Sequence, residues 1–231
     1  MKIEILFEDN HIIIVNKPNN VLIHNSYYAR NIKEETLLDL LYVQLGFNFY
    51  PVHRLDRKTS GVLMLAKQKE HVSVFQELFT FNQIQKTYLG IVRGFVDLSV
   101  SITSPVKNPD SKVYKDAETL CEPIYTKLLD IPVTPYENSR YSLVKLTPST
   151  GRMHQLRIHM NKISHPIVGD YKYGDRFHNR MFENEFGCEN LFLHAYSLHF
   201  PQPLTNENID IKASLPYDWG KVFKIFDWDF N

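Results

Sequence analysis

Runs of β-branched, aliphatic and aromatic residues recur along most of the chain, with only a few helical patterns between them. That pattern restricts it to an α+β architecture built on a mainly antiparallel sheet. IEILFEDNHIIIVNKP (residues 3–18) reads as two short strands about an Asp9-Asn10 turn, and NKPNNVLIH (16–24) as a turn followed by a strand. GVLMLAK, KTYLGIVRG, CEPIYTKLLD, YSLVKLTP and LFLHAYSLHF supply further strands. Helical spacing is confined to Glu34–Leu45, Glu70–Asn82 and Gly151–Ile163. The Pro- and Asp-bearing stretch from Ser104 to Asp116 reads as a surface insertion.

With 231 residues, 43% of them hydrophobic, the chain can bury one large core or two small ones. No apolar run approaches the roughly 20 residues of a membrane span, and Met1 opens onto KIEILFEDN, so no membrane partner and a cytoplasmic location are expected. Cys121 and Cys188 lack metal-ligand spacing and read as reduced structural thiols. The 26 basic and 26 acidic residues cancel, which removes any bulk electrostatic argument for nucleic acid. The distribution is more telling, because Gly151–Arg180 holds six basic residues against two acidic ones, a candidate phosphate-binding face.

On a helical wheel Met153, Leu156, Met160 and Ile163 share one face of Gly151–Ile163, and Arg157 falls inside that apolar sector. A guanidinium there cannot shed its charge and requires a buried acceptor. Asp56, in HRLDRKTSG among Arg54, Arg57 and Lys58, is the leading candidate, and a purely structural ion pair is the plain alternative. His154 and His159 stand five apart with no HExxH pattern, so no metal is expected. Ser60, His53 and Asp56 could be assembled into a triad, but no GxSxG elbow supports it, and no P-loop or GxGxxG suggests a nucleotide cofactor. Strand alternation places Tyr88 on one face with Lys86 and Gly90, suited to the edge of a pocket for a planar ligand.

Five stretches, taken in order, resemble the RluA-type pseudouridine synthases: VNKPNNVLIH (15–24), HRLDRKTSGVLMLAK (53–67), QKTYLGIVRG (85–94), TGRMHQLRIHM with HPIVGDYKYG (150–174), and LFLHAYSLHF (191–200). The resemblance implies one catalytic domain over residues 1–231, without an S4 domain. Its fold would be a long mixed, mostly antiparallel sheet in two halves with a central active-site cleft and a few flanking helices. It further implies Asp56 as the catalytic aspartate, Tyr88 as the tyrosine that stacks on the target base, and Arg157 as the arginine paired with the aspartate. Arg54 would fill the gap left by a flipped-out base, Leu193 would lean on the uracil, and Arg57, Lys58, Arg152 and His154 would meet RNA. The family uses no metal and no cofactor. The implied partner is RNA, tRNA first and ribosomal RNA second, met by a monomer; an inactive RNA-binding module is the alternative from another class. Where the family commonly has glycine after KP-x, this chain has Asn20, the next residue most tolerant of positive φ.

These residue types suit the chemistry. Isomerising uridine breaks the N1–C1′ bond, turns the uracil and rejoins it through C5, and a carboxylate near the sugar is needed to attack C1′, remove a C2′ proton or add at C6. A paired base must first leave the stack, creating a void for a side chain to occupy.

Overall fold

The computed structural model describes residues 1–24, 34–108 and 111–230. In chain order its elements are β1 (Glu4–Glu8), β2 (Ile12–Lys17), α1 (Leu37–Leu45), β3 (Tyr50–Pro51), β4 (Ser60–Ala66), α2 (Val72–Thr80), β5 (Gln85–Arg93), β6 (Val100–Thr103), β7 (Val106–Lys107), β8 (Tyr114–Lys115), β9 (Glu118–Leu129), β10 (Ser139–Pro148), α3 (Gln155–Lys162), α4 (Arg176–Phe186), β11 (Leu193–Pro201), β12 (Asn208–Lys212) and α5 (Tyr217–Phe226). The α+β architecture read from the sequence is the one observed. Residues 1–86 with 195–214 form one compact unit, and residues 87–194 with 215–231 a second. No helix among the described residues is long and apolar enough to cross a membrane.

In the first unit the strand order is β1-β2-β4-β11, with β3 beside β4 and β12 beside β11. The pairs β1–β2, β2–β4, β3–β4 and β11–β12 are antiparallel. Ile12 through Val15 and Val62 through Ala66 are wholly buried, as continuous apolar strands covered on both faces must be. Ile12, Ile14, Val62 and Met64 share the face that packs with Phe75 and Leu78 of α2. Helix α1 begins three residues later than the acidic run suggested, because Thr36 caps it. Thr36 Oγ1 accepts from the Asp39 amide, and Asp39 Oδ2 accepts from the Thr36 amide. Residues 21–24, expected as a strand, instead lie beneath this helix start, where the carbonyls of Leu22 and Ile23 accept from the amides of Leu37 and Leu38. Asn20 holds φ +64°, as the KPNN turn requires.

The second unit orders its strands β5-β10-β9-β6, all antiparallel. Val92, Cys121, Val144 and Leu146 of this sheet pack against Leu156 and Met160 of α3 and against Leu191 and Leu193. Two helices not expected from the sequence, α4 and α5, bring in aromatic side chains. Phe182 meets Tyr141, Phe192 and Phe226 edge-on at 5.0 to 6.0 Å, and Trp219 lies 5.5 Å from Phe192. The insertion carries the short pair β7–β8, with residues 109 and 110 outside the described residues. Both cysteines are buried and free.

Candidate active site

In the first unit, Asp56 sits on a loop fixed by its backbone. His53, before it, is held in the core: its Nε2 accepts from the Met64 amide at 3.0 Å and its ring stacks on Phe79 at 4.4 Å. Burial, with the nearby Lys86 charge, pushes the imidazole down to about 3, so it is neutral. Because that acceptor is occupied and Ser60 is fully buried in β4, the Ser60–His53–Asp56 triad is discarded. After Asp56, the Thr59 amide donates to its carbonyl and closes a turn.

Hydrogen bonds tie the loop to the KPNN turn. Lys17 Nζ donates to the Arg57 carbonyl at 3.0 Å, Asn19 Nδ2 to the Lys58 carbonyl at 2.7 Å, and Arg57 Nε to the Asn20 carbonyl at 3.0 Å. Lys17 Nζ also donates to the Pro18 carbonyl at 2.8 Å. This lysine is fully buried; burial pushes it down to about 7, while the Asp56 carboxylate pulls it back up and Arg57 pushes it further down. Lys17, to which the motifs assigned no role, is therefore one buried cation coupled to Asp56. Arg57 pairs with Glu34 at 2.5 Å, so it is engaged in an exposed ion pair, whereas Arg54 is exposed to solvent.

In the second unit, Tyr88 packs against the cluster that holds Leu193, Leu156 and Met160, which brings the proposed stacking tyrosine, the buried leucine and helix α3 together. Arg157 is buried, as the wheel required. Within its own unit Asp170 is an acceptor: Oδ2 accepts from Nε at 2.7 Å and Oδ1 from Nη2 at 2.8 Å, a bidentate contact. Burial would raise the Asp170 carboxyl, but the Arg157 hydrogen bonds and charge, with the amides of Tyr173 and Lys172, outweigh it and hold it below the usual carboxylate range. The Arg157 guanidinium also lies 5.2 Å from the Tyr173 ring centre, and the Tyr173 hydroxyl stands 3.0 Å from His154 Nδ1.

Helix α3 starts later than the wheel assumed. His154 adopts φ +57°, leaving Met153 outside the helix and partly exposed. The cause is Gln155, a buried side chain that accepts from Thr150 Oγ1 and the Arg152 amide and donates to the Glu118 carbonyl and Thr119 Oγ1. His159 is also satisfied in the core, against Thr119 Oγ1 and the Ser104 carbonyl. Arg152 is exposed, its Nε donating to the Asp116 carbonyl.

An aspartate loop braced by a buried lysine, and an arginine helix packed beside a strand tyrosine, occupy the stretches that carried the resemblance. The model of the RNA pseudouridylate synthase family matches residues 11–162, and the chain belongs to that family. It is similar over its whole length to the tRNA pseudouridine synthase C of Haemophilus influenzae, at 38% identity over 98% of this chain and 99% of that one. The protein of the same name from Pasteurella multocida is 39% identical over 100% of this chain and 99% of its own length. Among solved structures, Human RNA Pseudouridylate Synthase Domain Containing 1 superposes with a TM-score of 0.73 at 25% identity, covering 94% of this chain and 84% of that one.

Proposed function

We propose that this chain isomerises a uridine of tRNA to pseudouridine, with uridine 65 in tRNA numbering as the expected target, acting as a monomer in the cytoplasm. The observation that carries this reading is the end-to-end similarity to proteins named tRNA pseudouridine synthase C. Asp56 is the reacting carboxylate. Lys17 fixes the carbonyls flanking its loop and supplies positive potential, so the carboxylate is presented to the sugar in one orientation. Tyr88 stacks on the uracil, Leu193 gives it an apolar wall, and Arg157 completes the set that the family pattern assigns to the reaction. Arg54, exposed beside Asp56, enters the vacated base position; Arg57, Lys58, Arg152 and His154 meet the RNA around it.

The test is carbodiimide mapping of pseudouridine in tRNA and ribosomal RNA from cells with and without the gene, alongside Asp56→Asn. Loss of one tRNA pseudouridine, restored by the wild type and not by Asp56→Asn, is the expected result. Product from Asp56→Asn at the wild-type rate would refute the role of the carboxylate, and a missing modification in ribosomal RNA would move the substrate.

A further inference from the structure

The second unit carries a surface hollow of about 390 Å³ where the ends of β5 and α3 meet the start of α4. That volume lies within the range of small-ligand sites. Arg93, the last residue of β5, and Arg176, the first of α4, both line it, against a single carboxylate, Asp175. Asp175 is committed to the fold. Its Oδ2 takes Arg93 Nη1 at 2.5 Å, and its Oδ1 caps α4 by accepting from the amides of Phe177 and His178 at 2.9 and 3.4 Å. Two guanidinium groups against one carboxylate leave the hollow net positive.

Its rim is aromatic. Phe177 is 45% exposed, and the Arg176 guanidinium lies 4.7 Å from its ring centre. The neighbouring His178 is buried and Phe182, on the same helix, lies in the aromatic core, whereas the Phe177 ring is open to solvent on part of its surface. A cation laid on an exposed aromatic ring beside a positive hollow is the combination that receives a phosphate and its adjoining base: the charge takes the phosphodiester and the ring face takes the base.

We infer that this hollow binds an RNA nucleotide other than the one that reacts, with its phosphate against Arg176 and Arg93 and its base stacked on Phe177. The inference rests on the reading of RNA as substrate and adds an affinity-determining contact remote in sequence from Asp56.

The test uses the full chain and an unmodified tRNA transcript, with binding followed by fluorescence anisotropy between 50 and 200 mM salt. Arg176→Ala should weaken binding about tenfold at the lower salt and reduce the slope of log affinity against log salt by about 0.7 to 0.9, one phosphate's share. Phe177→Ala should weaken binding at least about fivefold with the slope unchanged, since stacking releases no counterions. Turnover at saturating tRNA should stay within about twofold for both, because neither side chain touches the reacting uridine. A dissociation constant within twofold of wild type, with an unaltered slope, for both variants would overturn the inference, as would a wild type that binds no tRNA. Failure of the enzyme reading is separate and shows as a wild type that binds tRNA yet forms no pseudouridine.

Discussion

Arg157 illustrates how far one side chain can constrain its surroundings. Its charge is permanent and its surroundings are largely apolar, and Asp170, itself 1% exposed, offsets the burial by accepting from Nε and Nη2 of its fork. Arg157→Ala would leave that carboxylate with only the amides of Lys172 and Tyr173. We expect a loss of about 3 to 5 kcal/mol in urea unfolding, only partly recovered by Arg157→Lys, whose point charge cannot reproduce the fork. Unchanged stability would mean that the pair does not anchor the loop. Lys17 poses the opposite case, a cation buried at a cost to hold two carbonyls in place. Lys17→Met keeps the volume and removes the hydrogen bonds to Pro18 and Arg57, so the Asp56 loop loses its brace. We expect kcat for pseudouridine formation to fall about tenfold or more, the loss of roughly 1.4 kcal/mol of positioning, with tRNA affinity unchanged. A changed affinity with kcat intact would assign Lys17 to RNA binding instead.

At the scale of elements, strand β4 shows why a glycine follows the aspartate loop. Gly61 has φ +109°, and a Cβ there would lie 2.1 Å from the Ala195 carbonyl oxygen of β11. Backbone cannot yield as a flexible side chain would, so Gly61→Ala should cost about 3 kcal/mol or more, read as a lower urea midpoint. The strands were legible because burial on both faces selects uninterrupted aliphatic runs such as Ile12–Val15. Helices α4 and α5 were not, since RFHNRMFENEF and YDWGKVFKIF mix aromatic and charged residues in a way that period alone does not separate from irregular chain. Their caps did carry a signal: Asp175 before α4 and Gly187 after it are an ordinary start and stop. The start of α3 could not be read from period either, because Gln155 sets it through partners on β9. The site was legible as motifs in order, which placed Asp56, Tyr88 and Arg157. Adjacency in space was not: Lys17 lies forty positions before the carbonyl it holds, and Asp170 thirteen after its arginine.

Across the whole molecule, formal charges cancel, so pH acts chiefly through groups that folding withdraws from water. His53, His159 and His178 are all held below the usual 6.5, mainly by burial. From about pH 6.5 downward the unfolded chain binds these protons and the folded chain resists them. Stability therefore falls as pH falls there, with His53, the most deeply shifted, contributing up to about 1.4 kcal/mol per pH unit. Asp9, Asp170 and Asp175, held below 3.8, contribute stability present above that value and lost as pH falls through their depressed values. Lys17 acts on the other side. At about 7 in the fold against 10.5 unfolded, it carries a full penalty below pH 7 that is relieved as pH rises toward 10.5. Against this, burial raises the thiols of Cys121 to about 12 and Cys188 to about 11, so above pH 9 the unfolded chain loses those protons first and the thiols offset the lysine gain. With Lys86, also lowered by burial, adding to the Lys17 rise, these opposing signs place the maximum above about pH 7, testable by urea midpoints from pH 4.5 to 10. His53→Gln, whose amide oxygen can still accept from Met64, should flatten the acid limb, and Lys17→Met should flatten the rise above pH 7. A maximum near pH 6, unmoved by either substitution, would mean that these buried groups keep ordinary protonation in the folded chain.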